Sequence, residues 1–167
     1  MGDVPICREW PLRATGWYII LTALFMTISC SLPSVRVFED ALTAEEHLTL
    51  GVAYEKRGEF ENAVEQYEQA REAGETHADL YLGNAWFGRG DLRRAEGHFR
   101  AALRSDPECH EAMNNLAWLI AQQGGDLSEA EALARQALVI ANRSGDDSVT
   151  SEYRNTLETI RDRKSGK

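Results

Sequence analysis

Residues 82–107 read LGNAWFGRGDLRRAEGHFRAALRSDP. Gly90 interrupts the stretch, and each side of it reads as an amphipathic helix. Gly90 tolerates the left-handed backbone that ends the first helix. In the second, about Leu92–Ser105, Ala95, Phe99 and Ala102 recur at spacings of four and three residues, one helical face. Asp106-Pro107 closes the pair, because proline cannot continue a helix and restrains the residue before it. A shift of 32 residues towards the N-terminus finds the unit again: Leu50, Gly51, Tyr54, Gly58, Ala63, Tyr67 and Ala70 fall on Leu82, Gly83, Trp86, Gly90, Ala95, Phe99 and Ala102. A shift of 34 the other way reaches Leu116, Ala117, Ile120 and Gly124. One residue more enters at Gly124-Gly125, and the lag of 35 then reaches Ala130, Ala134 and Ala137. A generic helical bundle has no reason for such a lag; stacked copies of one unit do.

The units predict helices at about Ala44–Arg57 and Glu61–Ala73, His77–Arg89 and Leu92–Ser105, and Cys109–Gln123 and Ser128–Asn142. Gly51, Gly83 and Ala117 let the second helix approach closely, and Ala63, Ala95 and Ala130 do the reciprocal job. Tyr67 and Phe99 fill the space between units. Thr43 with Glu46, and Ser128 with Glu131, have capping-box spacing. A last helix, about Ser148–Arg163, puts Tyr153, Leu157 and Ile160 on one face and turns Arg154, Glu158, Arg161 and Arg163 to solvent, as a terminal cap should.

These units resemble the tetratricopeptide repeat, whose pattern is W-x2-L-G-x2-Y, then A-x3-F, then P. The matching stretches are LGVAYEKRGEFENAVEQYEQA at 50–70, the stretch at 82–107, and NNLAWLIAQQGGDLSEAEALARQAL at 114–138. The leading Trp is missing, its places holding His47, Asp79 and Met113. In the third unit Ala134 stands at the aromatic place and Asn142 at the closing Pro. The resemblance implies an all-α fold: three helix-turn-helix repeats in a right-handed solenoid plus a C-terminal capping helix. It implies a concave face, lined by the first helices, that holds a partner protein or peptide without cofactor or metal. Transferred to this chain, the groove residues are Leu48, Val52 and Glu55, then Leu80, Asn84 and Phe87, then Asn114, Asn115 and Trp118. Asn84 and Asn115 match places where related proteins hydrogen-bond a peptide backbone, and equally places that tie neighbouring helices together. Phe87 and Trp118 suit exposed anchors, or burial against the last helix. Where related proteins clamp acidic chaperone C-termini with Lys and Arg, this chain has Leu48, Val52, Glu111 and Asn115, so an anionic terminus meets no matching cation. Three repeats are close to the minimum for a free-standing solenoid, which suggests a homodimer or docking on a larger partner.

The first thirty residues have another character. An uncharged apolar run covers Trp17 to Ile28, preceded by Arg8 and Arg13 and followed by Ser29, Cys30 and Ser31. This is the layout of a secretory signal, shorter than the roughly 20 residues of a spanning helix. Cys30 after Thr27-Ile28-Ser29 resembles the lipobox of bacterial lipoproteins, whose cysteine is acylated and becomes the mature N-terminus, although Thr27 stands where that family favours Leu. Ordinary cleavage before Leu32, or retention of 17–28 as an inner-membrane anchor, are the alternatives. The expected organisation is a signal at 1–29, a linker at 30–43, a repeat domain at 44–163 (units at about 44–75, 76–108 and 109–142, cap at 148–163) and a tail at 164–167. The expected location is the cell envelope of a bacterium, anchored to the membrane, by its lipid at the outer membrane, and facing the periplasm.

The net charge of −9 argues against nucleic acid, whose phosphates need a basic surface. Residues 1–29 sum to zero, so that charge belongs to the rest of the chain. Catalysis has no foothold: there is no G-x-S-x-G, no P-loop and no zinc spacing, and His110-Glu111 lacks the second histidine of a zincin helix, that place being Asn114. With Cys7 in the leader and Cys30 acylated, Cys109 is alone, a small buried hydrophobe. His47, His77, His98 and His110 are expected at the surface.

Overall fold

Thr43 caps the first helix of the solenoid. Its hydroxyl accepts from the Glu46 amide at 3.3 Å while its own amide donates to Glu46 Oε2 at 2.8 Å, the expected capping box. In the computed structural model the chain is described over residues 42–166. The predicted signal, the acylation site at Cys30 and most of the linker lie outside the described residues. The described residues form seven helices in order: α1 Ala44–Lys56, α2 Phe60–Glu72, α3 Ala78–Gly88, α4 Leu92–Ser105, α5 His110–Gln122, α6 Leu127–Ser144 and α7 Asp147–Ser165. The described residues form no strand. Each helix packs on the next, pairing α1 with α2, α3 with α4 and α5 with α6, and stacking the pairs through α2–α3 and α4–α5.

The pairs close where the sequence places its small residues. A Cβ on Gly51 would lie 2.5 Å from Tyr67 Cδ1, and one on Gly83 would lie 2.5 Å from Phe99 Cδ1. Real Cβ atoms do not approach so near, so each aromatic ring lies flush on the partner helix backbone because glycine leaves the room. In the third pair Ala117 and Ala134 take the equivalent places, both fully buried: the methyl returns where the ring is gone. Tyr67, Phe99, Leu82, Leu116, Leu119 and Ile160 are the largest fully buried side chains, and one apolar core containing all six runs the length of the stack. Burial of each such side chain is worth about 1.5–3 kcal/mol. A contact between pairs had no repeat signature: Phe60, at the start of α2, lies on Gly88 at the end of α3, where a Cβ would come within 2.6 Å of its Cζ.

Several boundaries differ from the sequence expectation. Helix α6 runs past Asn142 to Ser144 and ends on left-handed Gly145 (φ 75°), since no proline stands at 142 to stop it. The capping box at Ser128 and Glu131 does not form. Asp126 is the N-cap, its carboxylate accepting from the amides of Ser128 and Glu129 at 2.8 and 3.4 Å, so the helix begins one residue before Ser128. Glu131 is instead taken by cations, with Arg135 at 2.7 Å, Arg161 at 3.1 Å and Lys164 at 2.9 Å. Arg161 is therefore not a free solvent arginine, and Lys164, expected in a frayed tail, belongs to α7. Arg163 likewise turns inward and donates to the Ala121 carbonyl at 2.8 Å. The histidines also depart from expectation. His47 is 2% exposed and meets Gln66, His98 meets Asp79 and His110 meets the Tyr153 hydroxyl, each at 2.9 Å; of the four only His77 is exposed, beside Glu75.

No helix among the described residues is long and apolar enough to cross a membrane.

Candidate partner-binding groove

The cap helix α7 decides the shape of the concave face. It packs on α6 and touches α5, just as α3 packs on α2 and touches α1. It thus takes the place of a fourth first helix. Tyr153, Leu157 and Ile160 seat it on the core as the sequence pattern requires.

Three depressions follow one another across the first helices. One is lined by Val52, Glu55 and Lys56 of α1 with Tyr81 and Asn84 of α3. The second brings Leu80, Tyr81 and Asn84 together with Glu111 and Asn115 of α5 and with Glu152 and Tyr153 of α7. The third, of about 390 Å³, lies between α5 and α7. Asn84, Phe87, Phe99, Asn114, Asn115 and Trp118 form one wall, and Glu152, Asn155, Thr156 and Thr159 form the other. Asn84 borders all three, so they make one continuous groove.

Of the nine groove residues expected from sequence, eight line it. Leu48 does not; it is half-buried and packs against the core. Leu80 is 5% and Asn114 4% exposed, which makes them floor rather than rim. Glu55 accepts a hydrogen bond from the Tyr67 hydroxyl at 2.7 Å, and burial, helped by that bond, pushes the phenol's pKa up. Asn115 Nδ2 donates to Asn84 Oδ1 at 2.9 Å, so the two amides do tie α3 to α5. Asn114 Nδ2 reaches Asn115 Oδ1 at 3.5 Å, while its own buried Oδ1 has no partner among the described residues. Phe87 and Trp118 are both half-buried. The Trp118 ring carries the Arg163 guanidinium 5.6 Å from its centre, so the last helix covers part of it and leaves the rest to the groove. Sequence reasoning missed Tyr81 and the α7 wall of Glu152, Asn155, Thr156 and Thr159. Their spacings of three and four along one helix were the available signal, hidden because nothing in the repeat pattern says which way the cap faces.

The charge of the groove is one-sided. Glu55, Glu111 and Glu152 line it, and Lys56 at one end is the single cation among its lining residues. Burial raises the hydroxyl pKa of Tyr81 and of Tyr153, and the Glu111 carboxylate adds to both shifts. Cys109 is half-buried, and burial pushes its thiol up, away from the reactive thiolate. Among the described residues no group of acidic, histidine or cysteine side chains is arranged to hold a metal.

Family models described as tetratricopeptide repeat match residues 44–77 and 82–147. The chain is a tetratricopeptide repeat protein. No curated protein matches it in sequence. Among solved structures it is similar to SycD, the type III secretion translocator chaperone of Yersinia enterocolitica: 20% identity and a TM-score of 0.66 over 72% of this chain and 93% of that one. PcrH of Pseudomonas aeruginosa, solved with the chaperone-binding region of PopD, matches at 20% identity and a TM-score of 0.65, covering 72% and 92% of the two chains. The TPR2B domain of yeast Sti1, in complex with Hsp70, matches at 16% and 0.66, covering 72% and 97%. At these identities the likeness is one of fold.

Proposed function

We propose that this chain is a non-catalytic adaptor that holds a partner protein or peptide in the groove between α1, α3, α5 and α7. The observation that carries the reading is the unbroken line from Val52 through Asn84 and Asn115 to Trp118, walled on its far side by α7. Such a groove offers half-buried aromatic surface for anchoring and side-chain amides that donate and accept together, which suits a peptide bond. PcrH with its PopD region and the Sti1 domain with Hsp70 use this fold to hold proteins, which supports the reading. The adaptor belongs to the bacterial cell envelope, reached through the signal at 1–29 and kept at the membrane by acylation of Cys30, where it helps assemble an envelope complex. A second reading keeps the groove and retains 17–28 as an inner-membrane anchor; it is favoured by Thr27 in the place where a lipobox prefers Leu.

The test is capture from the native envelope by the full-length chain and by a variant carrying Asn84→Ala, Phe87→Ala and Trp118→Ala. Loss of the captured partner with helical circular dichroism retained supports the groove. Unchanged capture moves the binding surface elsewhere.

A further inference from the structure

The groove's own chemistry narrows what it holds. We propose that the bound segment is cationic and that the depression between α5 and α7 receives an arginine side chain from it. This rests on the reading of the groove as the binding site and adds the identity of the anchor.

Two independent observations carry this: the charge of the whole groove, and a buried acceptor in that depression. The first is charge. The carboxylates of Glu111 and Glu152 line the middle of the groove without an ion-pair partner among the described residues, and Glu55 is bonded only to a neutral phenol. An incoming cation gains from all three, and an incoming carboxylate is repelled by them. The cations nearby stand at the two ends: Lys56 beside Val52, and Arg163, which is committed to the Ala121 carbonyl. The second is the buried acceptor. Asn114 lines the depression, is almost enclosed and leaves Oδ1 unpaired. A buried acceptor without a donor costs about 1–3 kcal/mol, which a ligand bringing an N–H recovers.

Arginine satisfies both conditions at once. Its guanidinium presents five donors in a flat fork, enough to serve the Asn114 oxygen and the Glu152 carboxylate together. Its plane stacks on aromatic faces, and Phe87 and Trp118 supply them. The chain already uses this contact, since Arg163 lies over the Trp118 ring. Lysine brings the charge without the fork, so it should follow arginine in preference.

The experiment selects a random displayed peptide library on the full-length chain and retains peptides whose binding is lost in the Asn84→Ala, Trp118→Ala variant. The expected result is enrichment of arginine beside apolar residues. The affinity of those peptides should fall about fivefold with Glu152→Gln, which lines the depression, the worth of one exposed charge pair, and less with Glu111→Gln, which lines the neighbouring one. Both carboxylates are exposed and outside the ion pairs that hold the fold, so neither change threatens folding. Replacing arginine by citrulline in a selected peptide should abolish the sensitivity to Glu152→Gln. Groove-dependent peptides without arginine, or peptides indifferent to both glutamines, overturn this inference and leave the groove in place. Failure to recover any groove-dependent peptide overturns the groove reading as well.

Discussion

The carboxamide of Asn115 donates to that of Asn84 over 2.9 Å, joining the first helix of the third repeat to that of the second across the concave face. The same two side chains border the groove, so one pair both holds the repeats in register and faces the ligand. Asn84→Ala and Asn115→Ala should each cost about 1 kcal/mol, with the double variant costing less than their sum. Urea unfolding of the four proteins measures this; strict additivity would show that the bond does not contribute.

Gly83→Ala should be costly for its size. The added methyl lands on the Phe99 ring, and overpacking of that kind costs about 1–3 kcal/mol. Combined with Phe99→Ala the penalty of the methyl should disappear, because the third repeat already carries Ala117 with Ala134 at these places. Thermal unfolding of the two single variants and the double variant reads the coupling. The converse holds at Gly58, an exposed helix end with φ 75° and open space around it, where alanine is strained by backbone alone.

The cap should come loose in acid. Hydrogen bonds from Lys164 and Arg161 hold the Glu131 carboxyl well below its ordinary 4.5, at about 2. A depressed carboxylate stabilises the fold above its unfolded pKa, and that contribution fades as pH falls from about 4.5 through about 2. Hydrogen exchange along α7 should therefore rise across this window before the rest of the stack responds. In Glu131→Gln the exchange of α7 should already be faster at neutral pH and lose that acid step. The pairs are exposed, so raised salt should weaken the clamp too.

The N-terminus has its own readout. Acylated Cys30, free Leu32 and intact Met1 give three distinct masses for the mature chain. The lipoprotein reading expects the first, with loss of membrane association in Cys30→Ala. An intact Met1 is the outcome of the anchored alternative.

Much of the scaffold was legible because the repeat writes it several times. Gly51 with Tyr67 and Gly83 with Phe99 share one spacing, and a small residue facing a ring has a single packing explanation. The missing Trp of the pattern was visible only as an absence. His47 pairs with Gln66 and Asp79 with His98, each across 19 residues and at 2.9 Å, whereas Met113 sits in an apolar cluster against Leu133. Polar ties thus replace one apolar anchor in two repeats, and only the contact between helices of a pair reveals it. The start of α6 was misplaced because Ser128 and Glu131 have the right spacing, but Asp126 offers a charged acceptor two residues earlier. The groove was half legible for a similar reason. Its residues on α3 and α5 follow from the repeat. Glu152, Asn155 and Thr159 depend on where a non-repeat helix lands, and that is set by Tyr153, Leu157 and Ile160 docking on a core built elsewhere in the chain.

Site-specific photocrosslinking in the native host cell tests the central claim most directly. A photoreactive residue placed at Val52, Glu111 or Asn155 lines the groove, and one placed at Glu65 or Arg93 lies on the exposed surface of α2 or α4. The adaptor account predicts that the groove positions join the chain to one and the same partner while Glu65 and Arg93 do not. Crosslinks confined to Glu65 and Arg93, with silence along the groove, would contradict it.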